Sequence, residues 1–99
     1  MPMFEWDETK ATSNLAKHGV SFDEASSAFS DEDALIIDDP DHSIVEQRFL
    51  LVGSSDALRL LVVSHCLRNA GATIRIISAR RASRKESATY EERKISWMM

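Results

Sequence analysis

Three strand-like segments follow one another closely in the second half of the chain, and they constrain the fold more than any other feature. Links of four and six residues join these segments, and such short links join antiparallel neighbours, since a parallel crossover needs a dozen or more residues. A shorter β-branched segment precedes them. We therefore predict a mainly antiparallel meander sheet of about four strands, from the segments 34–38, 48–53, 58–66 and 73–79.

Two helices are predicted before the sheet. Asp7 can cap a helix over residues 8–18, and Gly19 supplies the left-handed residue that ends it. Ser21 and Glu24 then have the spacing of a capping box, which marks the start of a second helix. Both helices precede the first long strand, so the pattern is not the alternation of a parallel α/β fold.

One helix is predicted after the sheet. Ser83 and Glu86 again have capping-box spacing, which predicts a helix over residues 84–94. The fold class is therefore α+β, with helices packed against the sheet. We expect a single domain over residues 1–99, with no structural expectation for the apolar tail 95–99.

Bulk properties exclude several classes of protein. The chain has no apolar run long enough for a membrane span and no signal peptide, which favours a cytoplasmic protein. Its one cysteine, Cys66, cannot form an internal disulfide or a thiolate metal cluster. Because Cys66 lies in an apolar run, we expect a buried and unreactive thiol.

Basic residues are concentrated near the end of the chain, although the formal net charge is −4. Residues 1–66 contain four basic and thirteen acidic side chains, whereas residues 67–99 contain eight basic and three acidic ones. This asymmetry indicates a cationic surface for a polyanion, or an acidic surface for a basic partner. A mixed, solvated surface is the alternative.

Four cations surround the predicted start of the last helix: Arg80, Arg81, Arg84 and Lys85. Helix N-termini attract anions, because free N–H groups and the dipole point outward there. Cations are unfavourable at that position unless an anion such as phosphate binds between them, and the guanidinium fork matches phosphate. The alternative is a solvated basic turn.

Period-two alternation assigns sides to the last strand. It places Arg75 with Ala79 on one side and Arg80 on the other. His65, on the preceding strand, should lie near the same end of the sheet as Arg75. Alternatively, Arg75 pairs with an acid such as Glu46, and His65 is a half-buried, hydrogen-bonded residue.

Two further histidines are candidates. His18 lies at a helix end, where interaction with the helix dipole would by itself explain it. His42 follows Asp39 and Asp41 in a predicted loop, DPDHS, that superficially resembles a metal-ligand cluster. These are local residues without distant partners, so we do not expect a metal site.

The chain resembles the BrnT family of bacterial toxins from about residue 4 to 93. The specific motifs are W-D-x-x-K followed by N-x-x-K-H-G-[VI]-x-F, and R-I-I-S-A-R-x-A. The resemblance implies a RelE-like fold and a ribonuclease that stops translation in a type II toxin–antitoxin system. It also implies a BrnA antitoxin with a ribbon-helix-helix domain, whose complex with the toxin represses its own operon; the toxin would meet DNA only indirectly.

This activity suggests roles for the candidate residues. RNA can be cut when its own 2′-hydroxyl attacks the adjacent phosphate, which requires neither metal nor cofactor. We assign Arg75 and Arg80 to the phosphate and His65 to proton transfer. Tyr90 could orient a base or donate a proton, with simple packing as the alternative.

A second group would hold neighbouring RNA: Lys17, His18, Arg48, Arg59 and Arg81. The competing function is a non-catalytic module that binds nucleic acid or a partner on the same scaffold. The acidic first two-thirds of the chain disfavours plain DNA binding and is compatible with a basic antitoxin.

Overall fold

The computed structural model describes residues 2–39 and 46–98. Within these residues, three helices and five strands form the architecture, together with single 3-10 turns at Ala28–Ser30 and Asn69–Gly71. In chain order the elements are β1 (Met3–Glu5), α1 (Glu8–His18), α2 (Phe22–Ser27), β2 (Leu35–Asp38), β3 (Phe49–Ser54), β4 (Leu60–Arg68), β5 (Thr73–Arg81) and α3 (Arg84–Met98).

The strands form one sheet in the order β1-β5-β4-β3-β2. β2, β3, β4 and β5 are an antiparallel meander, as the short links predicted. The predicted sheet of about four strands gains a fifth, β1, where the alternation of Phe4 and Trp6 with Glu5 predicts either a short strand or an extended segment. β1 pairs in parallel with the first three residues of β5. The α+β class is confirmed, and the sheet is mixed because of this one parallel pair.

The predicted start and end signals of the first two helices are present. The Asp7 side chain caps α1, and Gly19 ends it with a φ of 70°. Ser21 Oγ accepts a hydrogen bond of 3.0 Å from the Glu24 N–H at the start of α2. These caps satisfy N–H groups that have no partner inside the helices, so the local sequence determines both boundaries.

Helices cover both faces of the sheet. α1 and α2 pack over one face, and α3 packs over part of the other. The first core contains Val20, Phe22, Ala25, Leu61, Val63, Ile74, Ile76 and Ala79, and the second contains Val52, Val62 and Tyr90. Burial on both faces explains the continuous apolar sequence of β4.

A β-bulge interrupts β5. Ser64 of β4 lies opposite Ser78, whereas the next residue, His65, lies opposite Ile76. Ile77 therefore has no residue opposite it on β4. A bulge of this kind changes the phase of side-chain alternation along the strand.

Because of the bulge, the side of the sheet predicted for the last residues of β5 is wrong. Ala79 lies in the first core beside Ile76, under α1 and α2, and not on the side of Arg75. Arg80 lies opposite Val62 of the second core, so Arg75 and Arg80 share the face of the sheet on which α3 packs. Strict alternation is wrong beyond Ile77, because the extra residue shifts every later side chain to the other face.

Candidate functional site

The side chain of Asn14 fixes α1 along the edge of β5. Its Nδ2 donates hydrogen bonds to the carbonyl oxygens of Ala79 (2.8 Å) and Val20 (3.0 Å). Its Oδ1 accepts a bond of 3.1 Å from the Ala79 N–H. Asn14 is only 7% exposed. β1 pairs with β5 no further than Arg75, so the amide of Asn14 replaces a neighbouring strand at Ala79.

A groove of about 210 Å³ lies between α1 and β5. Its walls combine residues of one face of α1 with the bulged part of β5: Lys10, Ser13, Asn14, Lys17, His18, Ile77 and Ser78. Lys10 and Lys17 are exposed and His18 is half-buried. Within the described residues, none of these three basic side chains has a hydrogen-bond or ion-pair partner.

Two predicted RNA-binding arginines lie near the end of α1. Arg59 forms a bidentate ion pair with Glu24, with an Nε–Oε2 distance of 2.9 Å, and also donates to the Gly19 carbonyl at 3.0 Å. The hydrogen bond from Arg59 holds the pKa of Glu24 below its usual value, and the charge of Arg81 adds a smaller effect. Both arginines therefore lie near the site where α1 ends, although Arg59 already has a carboxylate partner.

Arg80 is bound at the start of α3. Its guanidinium forms two hydrogen bonds to the Glu86 carboxylate, of 2.7 and 2.8 Å. Ser83 and Glu86 complete the predicted capping box, because Glu86 accepts from the Ser83 N–H at 2.7 Å and Ser83 Oγ accepts from the Glu86 N–H at 3.1 Å. The bonds from Arg80 and Ser83 lower the pKa of Glu86 to about 2. The anion at this helix start is therefore the carboxylate of Glu86.

Arg75 is paired with an acid on the neighbouring strand. Its Nη1 lies 2.7 Å from Oε2 of Glu5 in β1. Glu46, the acid suggested by the sequence, instead pairs with Arg68 at 2.9 Å. Arg75 and Arg80 are five residues apart on β5, or roughly 16 Å along a strand. The two arginines thus bind separate carboxylates.

His65 is enclosed by aromatic rings. It is 3% exposed, and the rings of Phe29 and Phe49 lie 4.8 and 5.8 Å from it. Its Nδ1 is 3.1 Å from the carbonyl oxygen of Val63, so Nδ1 carries the hydrogen. Burial lowers the pKa of His65. It lies on the side of α1 and α2, across the sheet from Arg75.

This burial makes the stability of the fold depend on pH. Unfolded histidine has a pKa of about 6.5, and the folded value is lower, so the unfolded state binds more protons below that pH. We expect the free energy of unfolding to fall as the pH drops from 7 to 5. A His65→Phe variant should lose less stability over this window, as measured by urea unfolding at each pH. Equal losses in both proteins would contradict the assignment.

The other candidates lie away from the groove. Tyr90 is 4% exposed, and its hydroxyl donates a bond of 2.6 Å to Asp31; burial and this contact raise its pKa. Arg48 has a buried Nε that lacks a partner among the described residues. Cys66 is buried, which raises the pKa of its thiol. Asp41 and His42 of the DPDHS segment lie outside the described residues.

The structure thus brings Lys17 and His18 into one groove, with Arg59 and Arg81 near the end of α1. It does not bring His65, Arg75, Arg80 and Tyr90 together. Sequence reasoning overlooked Lys10 and Asn14 as site residues. Their signal was their spacing, because positions 10, 14 and 17 fall on one face of a helix and all belong to the motif W-D-x-x-K…N-x-x-K-H-G.

Comparison with known proteins identifies related chains. The model of a family described as "Ribonuclease toxin, BrnT, of type II toxin-antitoxin system" matches residues 6–86. The crystal structure of the Brucella abortus ribonuclease toxin BrnT is similar to this fold, with a TM-score of 0.63 and 24% identity. That match covers 85% of this chain and 100% of the other. No curated protein sequence matches the chain.

Within the described residues, no helix is both long and apolar enough to cross a membrane. The same part of the chain contains no group of three or more His, Cys, Asp and Glu side chains placed to hold a metal ion.

Proposed function

Because this chain belongs to the BrnT family of ribonuclease toxins of type II toxin–antitoxin systems, we propose that it cleaves RNA in the groove between α1 and β5. The observation that supports this location is the set of unpaired basic side chains in the groove. Lys10, Lys17 and His18 have no partner in the described structure. They can meet a phosphate without first breaking an ion pair, unlike Arg75 and Arg80, which are held by carboxylates.

The proposed reaction uses the 2′-hydroxyl of the RNA. The His18 imidazole takes the proton of this hydroxyl while its oxygen attacks the adjacent phosphorus. The ammonium groups of Lys10 and Lys17 stabilise the charge that develops on the phosphate oxygens. The bond to the 5′-oxygen then breaks, that oxygen takes a proton from water, and the His18 imidazolium returns its proton to the solvent. The products carry a 2′,3′-cyclic phosphate and a 5′-hydroxyl.

The roles first assigned to His65, Arg75, Arg80 and Tyr90 stay as a competing catalytic set. For these residues to act on RNA, Arg75 must leave Glu5 and Arg80 must leave Glu86. His65 is only 3% exposed, so the core around it would have to open before its ring could reach RNA. RNA can reach the side chains of the groove between α1 and β5 without any of these rearrangements, so we place the reaction there.

The proposed partner is a BrnA-like antitoxin with a ribbon-helix-helix domain. It neutralises the toxin in the cytoplasm, and the complex represses its own operon, with DNA contacts made by the antitoxin. The acidic first two-thirds of the chain supports a basic antitoxin partner. The toxin itself acts on RNA and thereby stops translation.

A cleavage and binding assay tests the proposal. The purified chain should fragment RNA in the presence of EDTA. Lys17→Glu should weaken RNA binding about tenfold and reduce the salt slope of binding by about 1. Lys85→Glu is the matched control, since Lys85 is exposed on α3 and a glutamate suits a helix start.

The control also tests the other basic surface. If Lys85→Glu weakens binding as much as Lys17→Glu, RNA binds at the start of α3 and the proposed groove is wrong. If RNA binds in a salt-sensitive manner but remains uncut, the chain is a non-catalytic binding module.

A further inference from the structure

β2 is the outermost strand, at the opposite edge of the sheet from β1. In the described structure it pairs with β3 alone. Just beyond β2, the Asp39 N–H donates to the Arg48 carbonyl at 2.9 Å. This bond shows which residues of β2 direct their N–H and C=O groups toward β3. Because antiparallel pairs alternate, the N–H and C=O groups of Ile36 and Asp38 point away from β3. This edge therefore presents backbone groups that a further strand can bind.

The surface around this edge is apolar. Ile36 is 57% exposed and Ile37 is 45% exposed, and adjacent residues of one strand point to opposite faces. A groove of about 310 Å³ begins at Ile37 and runs between the sheet and α3. It is lined by Leu35, Ile37, Leu50, Val52, Val62, Lys85, Glu86 and Thr89. Soluble proteins usually protect edge strands with charges or proline, whereas the first three residues of β2 are apolar.

Acidic side chains flank the apolar part of β2. Glu32 and Asp33 precede it and Asp38 ends it, and none of the three forms an ion pair within the described residues. The sequence contains no lysine or arginine between Lys17 and Arg48. Complementary charge therefore requires a partner segment that is basic.

We propose that the β2 edge and its groove bind a basic, apolar segment of the antitoxin as an added antiparallel strand. This rests on the proposed function, which supplies the antitoxin as partner. Alternate apolar side chains of the segment fill the groove beside Ile37, and its lysines or arginines meet Asp33 and Asp38. A second copy of this chain fits less well, because pairing two β2 strands would bring two acidic segments together.

This surface is separate from the RNA groove. β3 and β4 lie between β2 and β5, so the two sites are roughly 14 Å apart across the sheet. A segment bound at β2 therefore anchors the antitoxin without occupying the groove of Lys17 and His18. Inhibition of cleavage therefore requires that another part of the antitoxin cover the groove of Lys17 and His18. A short strand peptide should accordingly bind the toxin without stopping cleavage.

Substitution of Ile36 tests the edge directly. Ile36→Pro removes an outward-pointing N–H and no β2–β3 hydrogen bond, so the edge strand can accept it. Ile36→Val keeps the N–H and is the matched control. Affinity for the protein encoded beside this chain should fall about tenfold with proline and stay within about twofold with valine. The affinities of the three proteins for a peptide of about eight residues that alternates lysine and valine should show the same order.

RNA cleavage is measured in parallel and should be equal in all three proteins. Loss of cleavage in all of them would refute the proposed function, while the affinities would still test the edge. Equal affinities would overturn the docking proposal. A self-dimer that Ile36→Pro dissociates, with unchanged antitoxin affinity, would assign the edge to a second copy.

A charge reversal covers the case in which the proline variant does not fold. Asp38→Lys leaves the β2–β3 hydrogen bonds in place and should weaken antitoxin binding, most strongly at low salt. Unchanged affinity of this variant would also overturn the proposal.

Discussion

A His18→Ala variant is expected to cleave RNA about a hundredfold to ten-thousandfold more slowly than the wild-type chain, with RNA affinity nearly unchanged. His18 is half-buried, lines the groove with Lys10 and Lys17, and has no partner within the described residues. Removal of its imidazole leaves in place the two lysines proposed to bind phosphate and removes the proposed proton acceptor. Single-turnover cleavage with the protein in excess separates this loss of rate from a loss of binding.

His65→Phe is the control for this result. Phenylalanine preserves an aromatic ring between Phe29 and Phe49 and removes the group that could transfer a proton. We expect this variant to cleave RNA at close to the wild-type rate. The reverse outcome, with an active His18→Ala and an inactive but folded His65→Phe, would place the catalyst in the core and refute the groove assignment.

The largest stability effect is expected at Asn14. Leucine at this position leaves the N–H and C=O of Ala79 and the C=O of Val20 buried without their partner. Unsatisfied buried groups cost about 1–3 kcal/mol each, so Asn14→Leu should lower the free energy of unfolding by about 3 kcal/mol or more. Asn14→Asp should be at least as harmful, since a carboxylate has no donor for two carbonyl oxygens. Urea unfolding measures both.

A neighbouring substitution provides the comparison. Ser13 is exposed on the same helix, and Ser13→Ala should change the free energy of unfolding by less than about 0.5 kcal/mol. If Asn14→Leu costs no more than Ser13→Ala, the amide does not hold α1 against β5. A folded Asn14→Leu should also cleave RNA more slowly, because the two walls of the groove are no longer joined.

Local signals in the sequence predicted most of the architecture. Asp7, Gly19 and Ser21 act through residues within one helical turn, so their effects can be read without knowledge of the fold. The pairing of β1 could not be predicted in the same way, because its partners lie some seventy positions later, as in the pair Met3–Thr73. The bulge at Ile77 depends on the register of β4 and β5, which no local signal determines.

The candidate site was predicted less completely for a related reason. Lys17 and His18 were found because they are adjacent in a helix-end motif. The ion pairs that bind Arg59 and Arg75 come from Glu24 and Glu5, far away in the chain. Sequence alone shows a cation but not the carboxylate that the fold brings to it. For Arg75 the sequence suggested the wrong acid, Glu46 instead of Glu5, and for Arg59 it suggested none.

β5 contains one residue more than its pairing requires. Without Ile77, the pairs Ser64–Ser78 and His65–Ile76 would follow each other in a regular ladder, and the apolar side chains would keep their present sides. The surplus residue instead forms part of the groove wall next to Ser78. A chain that lacks Ile77 should still form both hydrophobic cores, but the groove between α1 and β5 should change its shape. In this strand, the shape of the groove wall depends on the number of residues as well as on their identity.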